Sequence, residues 1–244
     1  MNHLRLALLF ASALAAASPA LAETLALKAA DGVTVYADFE GDKAGARPIL
    51  ILFHQAGSNR HEYDPVAPRL NDMGFDTLAV DQRAGGHLFG HDNETAAALG
   101  RAPGYLAAYP DMEAALAWAE GTGAKTILIM GSSYSSALVF ELAADHPKSV
   151  DAVLSFSPGE YFSPGDRVRK AAARLKVPVF VSQASDPSEV ATAKPIVDAV
   201  PQNLVTHFKP KSAPHGASAL REDANGKGAA EVWRAVAAFL KPFA

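Results

Sequence analysis

The sequence predicts an α/β fold: one domain on a mostly parallel mixed sheet, with helices on both faces and an antiparallel hairpin at its front. Three observations predict it. Six short apolar runs of strand length recur along the chain: "RPILILFH", "FDTLAVD", "KTILIMG", "VDAVLSFSP", "VPVFVSQ" and "NLVTHF". Such continuous runs suit strands buried on both faces, as in a parallel sheet. Helical patterns lie between them, and strands alternating with helices build a sheet covered on two sides. No linker or internal repeat interrupts the alternation, so residues 23–244 read as one domain.

The first two strands, near residues 25–29 and 33–39, flank Asp31-Gly32, a dipeptide suited to a tight hairpin turn. "HEYDPVAPRLNDMG" places Val66, Leu70 and Met73 on one helical face and stops at Gly74. "DMEAALAWAEGTG" is rich in helix formers, "SALVFELAADHP" ends before Pro147, and "AAEVWRAVAAFLK" closes the chain. "SEVATAKPIVDAV" contains Pro195, which predicts a short or kinked helix. Two segments break the alternation. Residues 83–108, rich in Gly and polar groups, read as a long loop, and 159–176 have room for one helix.

Residues 1–22 stand apart. An Arg near the start, an apolar Ala-rich run and a final Ala20-Leu21-Ala22 read as a secretory signal peptide cut before Glu23. The run is short for a membrane span, and no other stretch is long and apolar enough. The expectation is a secreted or periplasmic protein with no stable membrane insertion after cleavage. The chain has no Cys, which excludes a thiol nucleophile, thiolate metal sites and lipid attachment at the cleavage site. A net charge of −4 without a basic stripe gives no nucleic-acid footprint. The sequence sets no oligomeric state.

In open α/β sheets, ligands bind beyond the carboxyl ends of the strands, so chemistry is sought there. "TILIMGSSYSSALVFELA" changes at Gly-Ser-Ser-Tyr-Ser from a strand-like to a helix-like pattern. A turn displaying a serine nucleophile has the form G-x-S-x-G, with small residues two before and two after the serine. Centred on Ser133, those positions are Gly131 and Ser135. Centred on Ser132, bulky Met130 falls where a small residue is needed; centred on Ser135, the site moves into the helix. Ser133 is the best candidate, with Ser135 adding a Cβ and a hydroxyl at a crowded contact.

A serine nucleophile needs a base, usually a histidine oriented by a carboxylate. His215 follows the last strand, in "KSAPHGASA", and Asp186 follows the strand before it, in "VFVSQASDPSE". Asp186 is also placed to cap the next helix, and Glu160, one strand earlier, is the rival acid. Ser133, Asp186 and His215 in that order match one hydrolase arrangement. The backbone N–H of Tyr134, after the nucleophile, is one donor to an oxyanion. The second comes from "FHQAGSNR", where Ala56 is the first choice and Gln55 the alternative.

With these residues in view, the sequence resembles the α/β-hydrolase family. "ILFHQAGSNRHEYDPVAPRLNDMGFDTLAVDQRAGG" is similar to its oxyanion-loop region and "MGSSYSSAL" to its nucleophile elbow. "ASD" and "PHG" stand where its acid and histidine fall. Gln55 departs from the Gly of the family's usual His-Gly-x-Gly. The resemblance implies the α/β-hydrolase fold and a serine hydrolase acting on a small-molecule carboxylic ester through an acyl-enzyme, with no cofactor. With about 20 residues after the sixth strand, no large cap is expected. In this the chain resembles small esterases of the dienelactone-hydrolase and monoglyceride-lipase-like kinds; dienelactone hydrolases proper use Cys, and prolyl-oligopeptidase-type enzymes, which share the Ser-Tyr pair, carry a large extra domain. A peptidase, an acyltransferase or a non-catalytic binding member of the fold are the alternatives.

Other groups read as structural. His87 and His91, four apart beside Asp92, could hold a metal if helical, but their Gly-rich surroundings favour a polar loop, and no metal site is assigned. "GTGAKT" lacks phosphate-loop spacing and precedes a strand. Trp118 and Trp233 belong to amphipathic helices as core residues. Asp81 and Arg83, at a strand end, are expected to brace the loop by pairing.

Overall fold

The computed structural model describes residues 22–41, 45, 47–101 and 103–244; residues 1–22, expected from the sequence to be a signal peptide, lie outside these, apart from Ala22. Eight strands form one sheet: β1 (Glu23–Lys28), β2 (Thr34–Glu40), β3 (Ile49–Phe53), β4 (Asp76–Val80), β5 (Ile127–Ser132), β6 (Ala152–Phe156), β7 (Val179–Ser182) and β8 (Val205–Phe208). Their order is β1-β2-β4-β3-β5-β6-β7-β8. The β1–β2 and β2–β4 pairs are antiparallel and every later pair is parallel. All eight expected strands are present. The first hairpin is looser than a two-residue turn: Lys28 pairs with Thr34, and Ala29 N–H to Val33 O (3.0 Å) closes the connection.

The apolar runs are buried on both faces because alternate side chains point to opposite sides of a strand. Ile49, Ile51 and Phe53 of β3 enter the core shared with α3 (Tyr109–Gly121) and α4 (Tyr134–Asp145), following α1 (Ala67–Asp72) and α2 (Glu94–Leu99) in the chain. Leu50 and Leu52 enter the opposite core, with Leu70 of α1. The remaining helices are α5 (Arg167–Ala172), α6 (Pro187–Ala199), α7 (Glu222–Asn225) and α8 (Gly228–Leu240). Trp233 of α8 is core, its indole N–H donating to Leu220 O at 2.8 Å; Trp118 packs partly buried against the other core.

Three details differ from the sequence reading. The helix α6 runs through Pro195. Ala191 and Pro195 are both exposed, so water can serve the carbonyl that proline cannot. Residues 83–108 are not one loop but contain α2 and two 3₁₀ turns, Leu88–Gly90 and Tyr105–Ala108. Asn93 caps α2 by accepting from Ala96 N–H (2.7 Å), and left-handed Gly100 ends it. Asp81 and Arg83 do brace this region, but with different partners. Asp81 pairs with Arg60 (2.6 Å), whereas Arg83 pairs with Asp111 (2.7 Å) and Asp31. Residues 157–178 carry only α5, so no large cap covers the sheet. No helix among the described residues is long and apolar enough to cross a membrane.

Candidate active site

Ser133 sits between the end of β5 and the start of α4 with φ 58° and ψ −120°, a conformation L-residues avoid. The strain is held from several sides. Ser133 N–H donates to Phe156 O of β6 (2.9 Å). A Cβ on Gly131 would lie 2.4 Å from Ser135 O, so the position two before the serine must be glycine. Ser135 supplies what a glycine could not: its oxygen accepts Ser132 N–H (2.9 Å), and its hydroxyl is within reach of Phe53 O (2.7 Å) and His54 O (2.8 Å). The departure from G-x-S-x-G thus latches the turn to the end of β3.

His215 Nε2 lies 2.7 Å from Ser133 Oγ, and its Nδ1 lies 2.6 Å from Glu189 Oε1. Glu189 is ionised (below), and a carboxylate only accepts, so Nδ1–H donates to Glu189 and Nε2 is left to accept from the Ser133 hydroxyl. The serine and histidine expected from the sequence therefore meet across 82 positions of chain. The acid is a correction. Asp186 is exposed and turned into its own helix, accepting Ser188 N–H (2.8 Å) and Ser188 Oγ–H (2.5 Å) as the N-cap of α6. These bonds hold its carboxyl below its usual range. Glu160 is also occupied, accepting Val168 and Arg169 N–H at the start of α5 (2.8 and 3.0 Å). Glu189, one turn into α6, reaches the imidazole because the longer side chain projects back toward the helix N-terminus. The D-x-x-E spacing of Asp186 and Glu189, a capping-box pattern, was the signal available for it.

Burial pushes the Glu189 carboxyl up, but hydrogen bonds from His215 and Ser157 outweigh it, and its pKa ends below the ordinary value. Ser157, itself at φ 59°, also accepts Gly216 N–H (2.9 Å), tying the histidine loop to the acid. The Tyr161 hydroxyl donates to Ser157 O (2.7 Å). Burial and the charge of Glu189 push its pKa up to about 12, partly offset by a hydrogen bond with Ser133.

Glu62 was missed by sequence reasoning. It is fully buried behind the elbow and accepts Gln55 N–H (2.8 Å), Gln55 Nε2–H (3.3 Å) and Ser132 Oγ–H (2.7 Å). Ser132 Oγ in turn accepts Ala217 N–H (2.8 Å) from the histidine loop. One carboxyl thus joins the loop after β3, the elbow and the segment after His215. Burial pushes it up to about 7, against the hydrogen bonds from Gln55 and Ser132. Its bond to Gln55 occupies that N–H, while Ala56 N–H has no partner among the described residues. Tyr134, first residue of α4, has no intrahelical acceptor for its N–H. His54, also fully buried, accepts Gln82 N–H at Nε2 (3.0 Å), leaving Nδ1–H to donate to Gln55 O (2.7 Å). Burial pushes its pKa down, so it stays neutral and structural.

The site is open: the His215 side chain is 41% exposed. A cleft of about 640 Å³, lined by Asp64, Arg69, Arg221 and Trp233 among others, includes none of Ser133, Glu189 and His215. His87 and His91 do not converge. His87 pairs with Asp92 (2.6 Å), and the His91 ring stacks on His61 at 3.8 Å.

The family model for the alpha/beta hydrolase fold matches residues 48–202. The chain belongs to the α/β-hydrolase family. No curated protein matches it in sequence. Among solved structures, the α/β-hydrolase chain is similar to the esterase Pf2001 of Pyrococcus furiosus, with TM-score 0.70 and 17% identity over 92% of this chain and 93% of that one. A dienelactone hydrolase of Anabaena variabilis gives TM-score 0.67 and 17% identity over 93% and 99%. Est1E of Butyrivibrio proteoclasticus, solved with ferulic acid bound, gives 0.67 and 17% over 90% and 98%. At such identities the likeness is one of fold.

Proposed function

We propose that this α/β-hydrolase is a serine hydrolase of carboxylic esters, using Ser133, His215 and Glu189. The observation that carries the reading is the continuous pair of short bonds, Ser133 Oγ to His215 Nε2 (2.7 Å) and His215 Nδ1 to Glu189 (2.6 Å), on a strained elbow. Ser133 Oγ attacks the ester carbon as Nε2 takes its proton. Glu189 holds the imidazole in the required tautomer and balances the imidazolium. The tetrahedral oxyanion is received by the N–H groups of Tyr134 and Ala56, which the structure leaves without acceptors. His215 then gives its proton to the departing alcohol as the C–O bond breaks. Water, deprotonated by the same nitrogen, releases the acid from Ser133. The likeness in fold to the Pf2001 esterase supports an ester substrate, and the uncapped site suits a small one.

A fluorophosphonate probe and p-nitrophenyl acetate test this together. The expected result is stoichiometric labelling and turnover, both lost in Ser133→Ala. A folded wild-type chain that neither labels nor turns over would instead be a binding member of the family. We also propose export, supported by the residue pattern of 1–22; N-terminal sequencing of the secreted chain should begin at Glu23.

A further inference from the structure

Away from Ser133, one cluster among the described residues brings metal-ligand types together. The ligand atoms of His61, Asp64 and His91 all lie within 4.8 Å of one another. His61 and Asp64 belong to the segment after the oxyanion loop, and His91 to the excursion after β4. The imidazoles of His61 and His91 face each other at 3.8 Å and 21°, and both carboxylate oxygens of Asp64 lie 3.1–3.2 Å from His61 Nδ1. The His91 ring has no hydrogen-bond partner among the described residues.

The backbones of His61 and His91 are joined through the buried side chain of Asn59. Asn59 Oδ1 accepts His61 N–H (3.0 Å), while Asn59 Nδ2 donates to Leu88 O and His91 O (2.6 Å each). Arg221 adds a bond to His61 O (3.4 Å) and another to Glu62 O (2.8 Å). The two ligand-bearing segments are therefore fixed to one another before any ion arrives. Only the half-buried His61 and the exposed Asp64 and His91 side chains need rotate to bring nitrogen and oxygen atoms to the roughly 2.0–2.2 Å bond lengths of such sites.

We propose that His61, Asp64 and His91 form a surface site for a transition-metal dication of the zinc, nickel or copper class, clamping the excursion after β4 to the segment behind the oxyanion loop. Two imidazoles with one carboxylate select borderline metals over Mg²⁺ and Ca²⁺, which prefer all-oxygen shells. Asp64 and His91 are exposed, so water completes the coordination and the ion exchanges freely. Tyr105, later in the same excursion, stacks its ring on Tyr134 beside the nucleophile at 4.8 Å. The ion would hold the near end of that excursion without entering the active site. This proposal is independent of the ester-hydrolase reading.

The test is calorimetric titration of Zn²⁺ alone into the untagged full chain, with melting curves recorded with and without the ion. One equivalent should bind, and Zn²⁺ should raise the melting temperature of the wild type. His91→Ala and Asp64→Asn should each weaken binding about 10-fold or more and lose the thermal shift, while melting like the wild type without zinc. His87→Ala, in the same excursion but paired with Asp92, should bind as the wild type does. Absence of saturable binding, equal binding by wild type and His91→Ala, or loss of binding in His87→Ala would each overturn the proposal.

Discussion

Two carboxyl groups flank the Ser133 elbow, one in front and one behind, and they behave oppositely. Glu189 faces the open rim, a quarter exposed, and takes its hydrogen bonds from an imidazole and a hydroxyl. Glu62 is fully buried behind Ser132, whose hydroxyl donates to it. The same functional group is held below its ordinary pKa in front and raised to about 7 behind. The difference teaches that hydrogen bonds to the charged form decide the first case and desolvation the second. The front carboxylate is bonded to the His215 ring; the rear carboxyl, through Gln55 and Ser132, holds three segments in register.

Exchanging roles is the strongest way to break this comparison. Glu189→Gln should lower kcat/KM by about a thousandfold, since the amide cannot balance the imidazolium. Steady-state kinetics with p-nitrophenyl acetate check it, and near wild-type activity would remove Glu189 from the chemistry.

The rear carboxyl is tested through pH. Because the folded pKa of Glu62 lies above the ordinary 4.5, the folded chain holds this proton more tightly than the unfolded chain. That contribution to stability is full below about 4.5 and is lost as pH rises toward 7. The loss amounts to about 3 kcal/mol. Glu62→Gln does not titrate, so the variant-minus-wild-type difference in denaturant stability should shift in the variant's favour across this window. A constant difference would contradict the buried assignment. Glu189, with its depressed value, contributes with the opposite sign: its stabilisation is present above the ordinary carboxylate range and is lost as pH falls.

The latch between elbow and β3 gives a smaller effect. Ser135→Ala leaves Ser132 N–H and two buried carbonyls short of a partner, and should cost about 1–3 kcal/mol, read as a lower melting temperature. Smallest of all, Asp186→Asn should keep activity within about twofold, because Asn caps a helix nearly as well as Asp. A large loss would reinstate Asp186 as the acid.

These residues show how much of the site the sequence carried. Ser133 was legible because a strained turn tolerates only small neighbours, a local constraint written at Gly131 and Ser135. His215 was legible from its place after the last strand. The acid was not: Asp186 and Glu189 share one helical turn, and either could have faced the rim. Glu62 gave no usable signal: Gln55 lies only seven positions away, but Ser132 lies 70 away and Ala217 joins the cluster only through Ser132.

The sequence by itself determined the eight strands, most of the helices and the direction of the sheet, because hydrophobic periodicity and turn chemistry act over a few residues. Only the tertiary structure decided which carboxylate meets His215, which N–H groups are left over for an oxyanion, and that His91 lies against His61 rather than His87. Those outcomes depend on side-chain reach and on burial between segments far apart in the chain, and no local pattern encodes either.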